Sequence, residues 1–378
     1  MIFVTGMFRS GTTFVARLLN QSEEISFASD PFFAVFKDFR NTLSNVNAHK
    51  VDPHAPLEDY YFEEEKINFF KTVQNTKLSD IKIPDVNYLK KFTEESSSPY
   101  SELLSKQIQN ISAENYGDFL IQGEKYLRLT YGNKRLSGFK EVWANEFTPH
   151  INQLFPNSSK VIHIIRDPRA ILVSNFYSEG RYPILFLARH WRKLATLAFH
   201  YSKSIPNNII VKYEDLILNP KETIQSICDF VGIEFDEKLL NTEEITDGGN
   251  KKWTQNSTFN EKESAGFNKQ SVNRWMDKIE LSDRLAMEYL CSPEMRLMGY
   301  GDFLDEKFET ISAVNFVDKK ERLANWIIPY SELNFEREFL KETQRFNLLS
   351  RENVSTREKE LNFLIPSVFD EMKVIVNK

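Results

Sequence analysis

The residues whose types and spacing most clearly suggest chemistry are those of the first turn, Gly6-Met7-Phe8-Arg9-Ser10-Gly11-Thr12-Thr13. They keep the G-x-x-x-x-G-K-[ST] spacing of a phosphate-binding loop, with Thr12 where the lysine would stand. The glycines let the backbone curl so that successive N–H groups converge on an anion, and the helix that follows adds its positive end. The Thr12 and Thr13 hydroxyls can add hydrogen bonds, and Arg9 supplies a cation earlier in the loop. Without the lysine the loop is poorly equipped for a γ-phosphate. Apart from the Ile165-Arg166-Asp167 corner, no later apolar strand ends in a magnesium-holding aspartate. The loop thus predicts an anion site that needs neither metal nor lysine. A purely structural strand–helix turn is the alternative for the loop taken by itself.

Thr5 to Phe14 resembles the 5′-phosphosulfate loop of the sulfotransferases, in the R-S-G-T-T form common in bacterial, carbohydrate and tyrosylprotein enzymes. A second segment, Ile164-Ile165-Arg166-Asp167-Pro168-Arg169-Ala170-Ile171-Leu172-Val173-Ser174, resembles the 3′-phosphate motif of the same family. There an arginine ending a strand and a serine eight residues later grip one phosphate; Arg166 and Ser174 hold those positions, and such groups can converge on a single anion. The other reading is an Arg166–Asp167 surface pair before a helix starting at Pro168. Val211-Lys212-Tyr213-Glu214-Asp215-Leu216 resembles the family's Y-E-D-L segment, which places Tyr213 near the nucleotide. Ser271-Val272-Asn273-Arg274-Trp275 resembles the late S-x-x-R-W segment, which brings Ser271 and Arg274 toward the 3′-phosphate. The likeness covers about residues 1–40 and 136–300.

The resemblance implies in-line transfer of a sulfuryl group from 3′-phosphoadenosine 5′-phosphosulfate (PAPS) to a hydroxyl or amine, releasing adenosine 3′,5′-bisphosphate (PAP), without a metal. Arg9, Ser10, Gly11, Thr12 and Thr13 would hold the leaving 5′-phosphate. Gly138-Phe139-Lys140-Glu141 resembles the strand end carrying a lysine near the sulfonate, which makes Lys140 the second cation. Asp30 stands where tyrosylprotein and some bacterial enzymes carry an acidic base, with Glu141 in reserve; Ser29-Asp30-Pro31 also fits a helix N-cap. The cytosolic aryl and steroid branch has a histidine shortly after its lysine, and this chain has Glu141, Val142 and Trp143 there. The expected acceptor is a carbohydrate or small molecule. A peptide tyrosine, a non-catalytic nucleotide-binding role and a P-loop kinase are the competing readings.

These groups must be positioned by an α/β frame. Ile2-Phe3-Val4 reads as a buried strand, and Phe14, Val15, Leu18 and Leu19 as one face of the helix after the loop. Further strands are expected at Ile25–Ala28, Leu136–Lys140, Lys160–Ile165 and Asn208–Tyr213. Helices are expected from Asp30-Pro31 to about Phe39, at Pro168 to about Ser178, Pro183 to about Ser202, Pro220 onward and Leu281–Met298. Alternating strands and helices predict a P-loop-type, mostly parallel sheet flanked by helices, with ligands beyond the carboxyl ends of the strands. The catalytic domain is expected over residues 1–304, with a mainly helical insertion at 41–125 as lid or acceptor region. Residues 305–378 read as a helical extension that packs on the domain or on a second subunit. His163, inside a strand, reads as a core histidine; His49 and His54 read as loop residues.

Composition bounds the rest. The 378 residues include 41% hydrophobic side chains and 31 phenylalanines, enough for a substantial core. A net charge of −6 argues against nucleic acid as a partner but leaves room for a small polyanion bound by a local cationic cluster. Cys228 and Cys291 have no partner motif and read as buried thiols. No apolar run is long enough for a membrane span or a leader, so a cytoplasmic enzyme is expected.

Overall fold

In a computed structural model of the chain we describe residues 1–49, 51–53, 55, 58–97, 101–174, 182–243, 245, 266–301 and 333–377. The chain divides into two units. The first comprises Met1–Pro53, Lys71–Ile165 and Tyr201–Lys269; the second comprises His54–Phe70, Arg166–His200 and Gln270–Lys378.

The first unit is built on five strands: β1 (Ile2–Gly6), β2 (Ile25–Ser29), β3 (Leu136–Val142), β4 (Lys160–Ile165) and β5 (Asn208–Lys212). They lie in the order β2-β3-β1-β4-β5 with every pairing parallel. Parallel strands covered on both faces must be apolar on both, which is why β4 is an almost unbroken run of β-branched residues. From β1 the chain runs toward one edge of the sheet and from β4 toward the other, so the crossover direction reverses between these adjacent strands. Such a switch leaves a crevice at the carboxyl ends.

Helix Thr12–Asn20 packs on β1, β2 and β3, burying Phe14, Val15, Leu18 and Leu19. Helix Phe33–Val46 runs beyond Phe39 because the apolar spacing continues through Phe36, Phe39 and Leu43. Phe3, Phe32, Phe36, Phe139 and Phe147 form the centre of this core, with Phe3 and Phe139 5.1 Å apart and Phe36 stacked on Phe147 at 4.7 Å. Gly6 belongs to the same close packing, since a Cβ there would collide with the Ile164 carbonyl. His163 is a core residue: Nε2 lies 3.2 Å from Asn208 Oδ1, and burial pushes its pKa down to about 4. Of the two insertion-loop histidines, His49 lies after helix Phe33–Val46, and His54 lies outside the described residues.

The second unit is helical. Helix Leu281–Leu297 packs on Pro168–Leu172 and on Pro366–Val376. An apolar cluster of Leu348, Leu349, Phe363, Val368, Phe369 and Met372 fixes the final helices. Buried ions run through the unit. Arg189 and Arg192, on helix Ile184–Ser204, both bond Glu342 on helix Phe335–Asn347, and Arg189 also bonds Glu338. Burial opposes the charge of Glu342, but the guanidiniums of Arg192 and Arg189 outweigh it and hold the carboxyl below its ordinary value. Arg345 pairs with Glu294. Both cysteines are buried and unbridged.

Candidate active site

Three strand ends of the first unit carry strained backbone. Arg9 follows β1 with φ 63°, Asp30 follows β2 with φ 51°, and Trp143 follows β3 with φ 68°. Non-glycine residues reach this region at a cost of roughly 1–2 kcal/mol each, and these three follow the carboxyl ends of the three neighbouring strands β1, β2 and β3.

The loop after β1 is shaped by its own contacts. The Ser10 hydroxyl donates to the Met7 carbonyl at 2.5 Å, and the Ser10 N–H reaches the same carbonyl at 3.2 Å. Gly11 then turns left-handed (φ 92°) to cap helix Thr12–Asn20. No L side chain fits there, because a Cβ would collide with the ring of Tyr213. Tyr213, the first residue after β5, therefore lies against the loop. Thr12 is buried, whereas Thr13 and Arg9 are half-buried. No acidic residue occupies the first turn of the helix, so its positive end is not offset by its own side chains. Phe8 stacks on Trp143 with ring centroids 5.0 Å apart.

Lys140 sits near the end of β3, in register with Ser29 of β2. Its ammonium is ion-paired with Asp30 Oδ2 and donates to Thr13 Oγ1 at 3.3 Å. The Lys140 side chain is only 2% exposed, against 24% for Asp30, so this pair has a buried end and an open end. The Asp30 N–H donates to the Lys140 carbonyl at 2.7 Å, and the Val142 N–H approaches Asp30 Oδ1 at 3.4 Å. Asp30 is not the N-cap that Ser29-Asp30-Pro31 also allowed; the helix begins at Phe33 with Phe32 as its cap residue.

Glu141 provides the acceptor instead. Its Oε1 accepts the Phe32 N–H, while Oε2 is buried and has no hydrogen-bond partner among the described residues. Burial, reinforced by the Asp30 charge, raises the Glu141 carboxyl well above its ordinary value. Enclosure and this structural bond leave Asp30 as the more accessible of the two carboxyls. No sequence signal marked Glu141 as a helix anchor, because the helix it anchors begins more than a hundred residues earlier.

In the second unit Arg166 is the first residue after β4. Its guanidinium donates to the Ser271 carbonyl at 2.8 Å through Nη2, and its own carbonyl accepts the indole N–H of Trp191 at 2.9 Å. Asp167 caps helix Pro168–Leu172, accepting the Arg169 N–H at 2.8 Å, and its carboxylate grips the Arg169 guanidinium. Arg169 also bonds Glu288 at 2.8 Å and lies over the Trp275 ring. Asp167 is thereby committed to Arg169. Helix Pro168–Leu172 ends earlier than the expected Ser178, and residues 175–178 lie outside the described residues. The Ser174 hydroxyl is buried with no hydrogen-bond partner among the described residues, a state that costs roughly 1–3 kcal/mol unless something else supplies a partner. Ser271 is buried and Arg274 half-buried, on the two short helical turns Gln270–Asn273 and Trp275–Lys278.

Among the described residues no cluster of three or more His, Cys, Asp or Glu could hold a metal ion, and no helix is long and apolar enough to cross a membrane.

A model described as "Sulfotransferase family" matches residues 2–237. Rat (Rattus norvegicus) carbohydrate sulfotransferase 1 is 23% identical over 193 residues, covering 43% of this chain and 44% of that protein. A Caenorhabditis briggsae protein bearing a protein-tyrosine sulfotransferase name is 24% identical over 174 residues, 43% of this chain and 59% of its own length. The chain thus spans about half the length of these curated relatives. Among solved structures, the sulfotransferase domain of the Synechococcus PCC 7002 olefin synthase aligns over 77% of this chain and 92% of that one, with a TM-score of 0.42 and 15% identity.

Proposed function

The chain belongs to the sulfotransferase family, and from that premise we propose that it transfers a sulfuryl group from PAPS to a hydroxyl or amine of a carbohydrate or small-molecule acceptor. The observation that carries the reading is the meeting of Lys140, Asp30 and Thr13 beside a glycine-bounded loop that has no lysine of its own.

In this reading Arg9, the loop at Ser10 and Gly11, and Thr12 and Thr13 hold the 5′-phosphate of the donor. Gly11 keeps the loop backbone open to it, with Tyr213 packed behind. Arg166, Ser174, Ser271 and Arg274 hold the 3′-phosphate, and the Ser174 hydroxyl, which has no hydrogen-bond partner among the described residues, fits a group in need of a phosphate oxygen. The acceptor oxygen attacks sulfur, the bond from sulfur to the 5′-phosphate oxygen breaks, and PAP leaves. Asp30 takes the acceptor proton while Lys140 and Arg9 balance the charge that grows on the leaving oxygen. The Lys140–Asp30 pair keeps the cation and the base adjacent without a metal.

Residues 41–125 are proposed to choose the acceptor, since they lie between the loop after β1 and the segments at Lys140 and Arg166 assigned to the donor, and carry none of those residues. A peptide tyrosine is the second reading, favoured by the similarity to the Caenorhabditis briggsae protein. A screen with sulfur-labelled PAPS against sugars, small phenols and alcohols, and tyrosine peptides tests the proposal. Label transferred to a sugar or small molecule supports it, transfer only to peptides moves it to the second reading, and no transfer to any class counts against an active enzyme.

A further inference from the structure

We propose that Trp191 is a positioning residue for Arg166 and, through it, sets recognition of the donor's 3′-phosphate. The inference rests on the PAPS reading given above.

Arg166 is held at both ends. Its guanidinium bonds the Ser271 carbonyl, and its main-chain carbonyl accepts the Trp191 indole N–H at 2.9 Å. Arg166 is 6% exposed, so its carbonyl needs a protein donor, and the indole, which only donates, supplies one in a fixed direction. An arginine that must meet a phosphate through a planar fork depends on its backbone direction, because a small rotation there sweeps the guanidinium through a long arc.

Trp191 is itself fixed. Arg189 and Arg192 stand on either side of it in the same helix, and both are bonded to Glu342, with Glu338 as a further partner of Arg189. Arg192 also donates to the Leu290 carbonyl at 2.8 Å. Helix Phe335–Asn347 thereby clamps the segment that carries the indole. This gives the late helices of the chain a role in donor recognition beyond packing: their carboxylates hold the helix that aims the 3′-phosphate arginine.

The test is calorimetric titration with PAP and with adenosine 5′-monophosphate, whose affinities differ by what the 3′-phosphate contributes. The variants are Trp191→Phe and, as a shape-conserving partner should the first fail to fold, β-(3-benzothienyl)alanine at position 191, which keeps the bicyclic outline and lacks the N–H. Loss of one hydrogen bond predicts PAP binding weaker by about three- to tenfold with monophosphate binding unchanged, so that the ratio of the two affinities falls. A merely structural role would weaken both nucleotides together and leave the ratio intact. If the wild type prefers PAP and the isostere keeps that preference in full, the role of Trp191 is overturned and the PAPS reading stands. If the wild type binds both nucleotides equally, the PAPS reading fails and the role of Trp191 falls with it.

Discussion

Lys140 Nζ is ion-paired with Asp30 Oδ2 and at the same time donates to Thr13 Oγ1, so one ammonium joins the ends of β2 and β3 to the first turn of the helix after β1. The parallel register explains how. Ser29 pairs with Lys140, and the positive φ of Asp30 then folds its carboxylate back over the lysine. Replacing Lys140 by Met removes the cation while conserving length and should lower kcat by about 10²–10³-fold, the usual loss for one group that stabilises developing charge. PAP affinity, measured by titration, should change far less.

Asp30→Asn keeps the shape of the turn and removes the proposed proton acceptor. The expected loss is about 10²–10⁴-fold in kcat. A pH–rate profile with unchanged rates from acid to alkaline conditions would exclude Asp30 as the base.

Gly11→Ala should damage the loop directly. The left-handed backbone alone costs about 1–2 kcal/mol for a residue with a Cβ, and the collision with Tyr213 adds to it. A thermal melt should show a clearly lowered midpoint, with PAP binding lost even in the fraction that stays folded.

Ser174→Ala should move stability and affinity in opposite directions. Removing a buried hydroxyl that has no partner among the described residues relieves a desolvation penalty, so the ligand-free protein should melt no lower than wild type. PAP affinity should fall about ten- to hundredfold, the value of a hydrogen bond to a charged acceptor. Melts with and without PAP separate the two effects.

Two histidines of the first unit contribute to the pH dependence of stability. Burial pushes both His150 and His163 down to about 4 from an ordinary value of 6.5. Between these values the unfolded chain binds protons that the folded rings exclude, so the contribution of these two rings to stability falls as pH drops from about 6.5 toward 4 and levels off below. Each histidine contributes at most about 1.4 kcal/mol per pH unit in that window. NMR titration of the two rings should show no protonation between pH 7 and pH 5, and inflections near 6.5 would mean that these rings titrate normally.

Much of the frame was legible in the sequence, for reasons that can be stated. β4 matches its expected bounds because a strand buried on both faces is a continuous β-branched run, and Pro220 opens its helix because proline fits the first helical position. The tight turn after β1 was readable because glycine spacing is a local property. Contacts between distant residues were not. The Lys140–Asp30 pair joins positions 110 residues apart, and the Arg189–Glu342 bond joins positions 153 apart. The basic pair at i and i+3 and the acidic pair at i and i+4 were visible, but exposed helices carry the same spacing. In the sequence Glu141 stands only as a reserve base; the folded sheet is needed to bring it to the Phe32 N–H beyond Asp30. Trp191 carried no signal at all, since an indole in an apolar helix reads as core.

The central claim, that PAPS is the donor, is tested most directly by a thermal-shift titration with PAP and with ATP, each with and without magnesium. The account predicts a concentration-dependent rise in the midpoint with PAP, equal with and without magnesium, and little response to ATP. Stabilisation by magnesium–ATP with no response to PAP would contradict it.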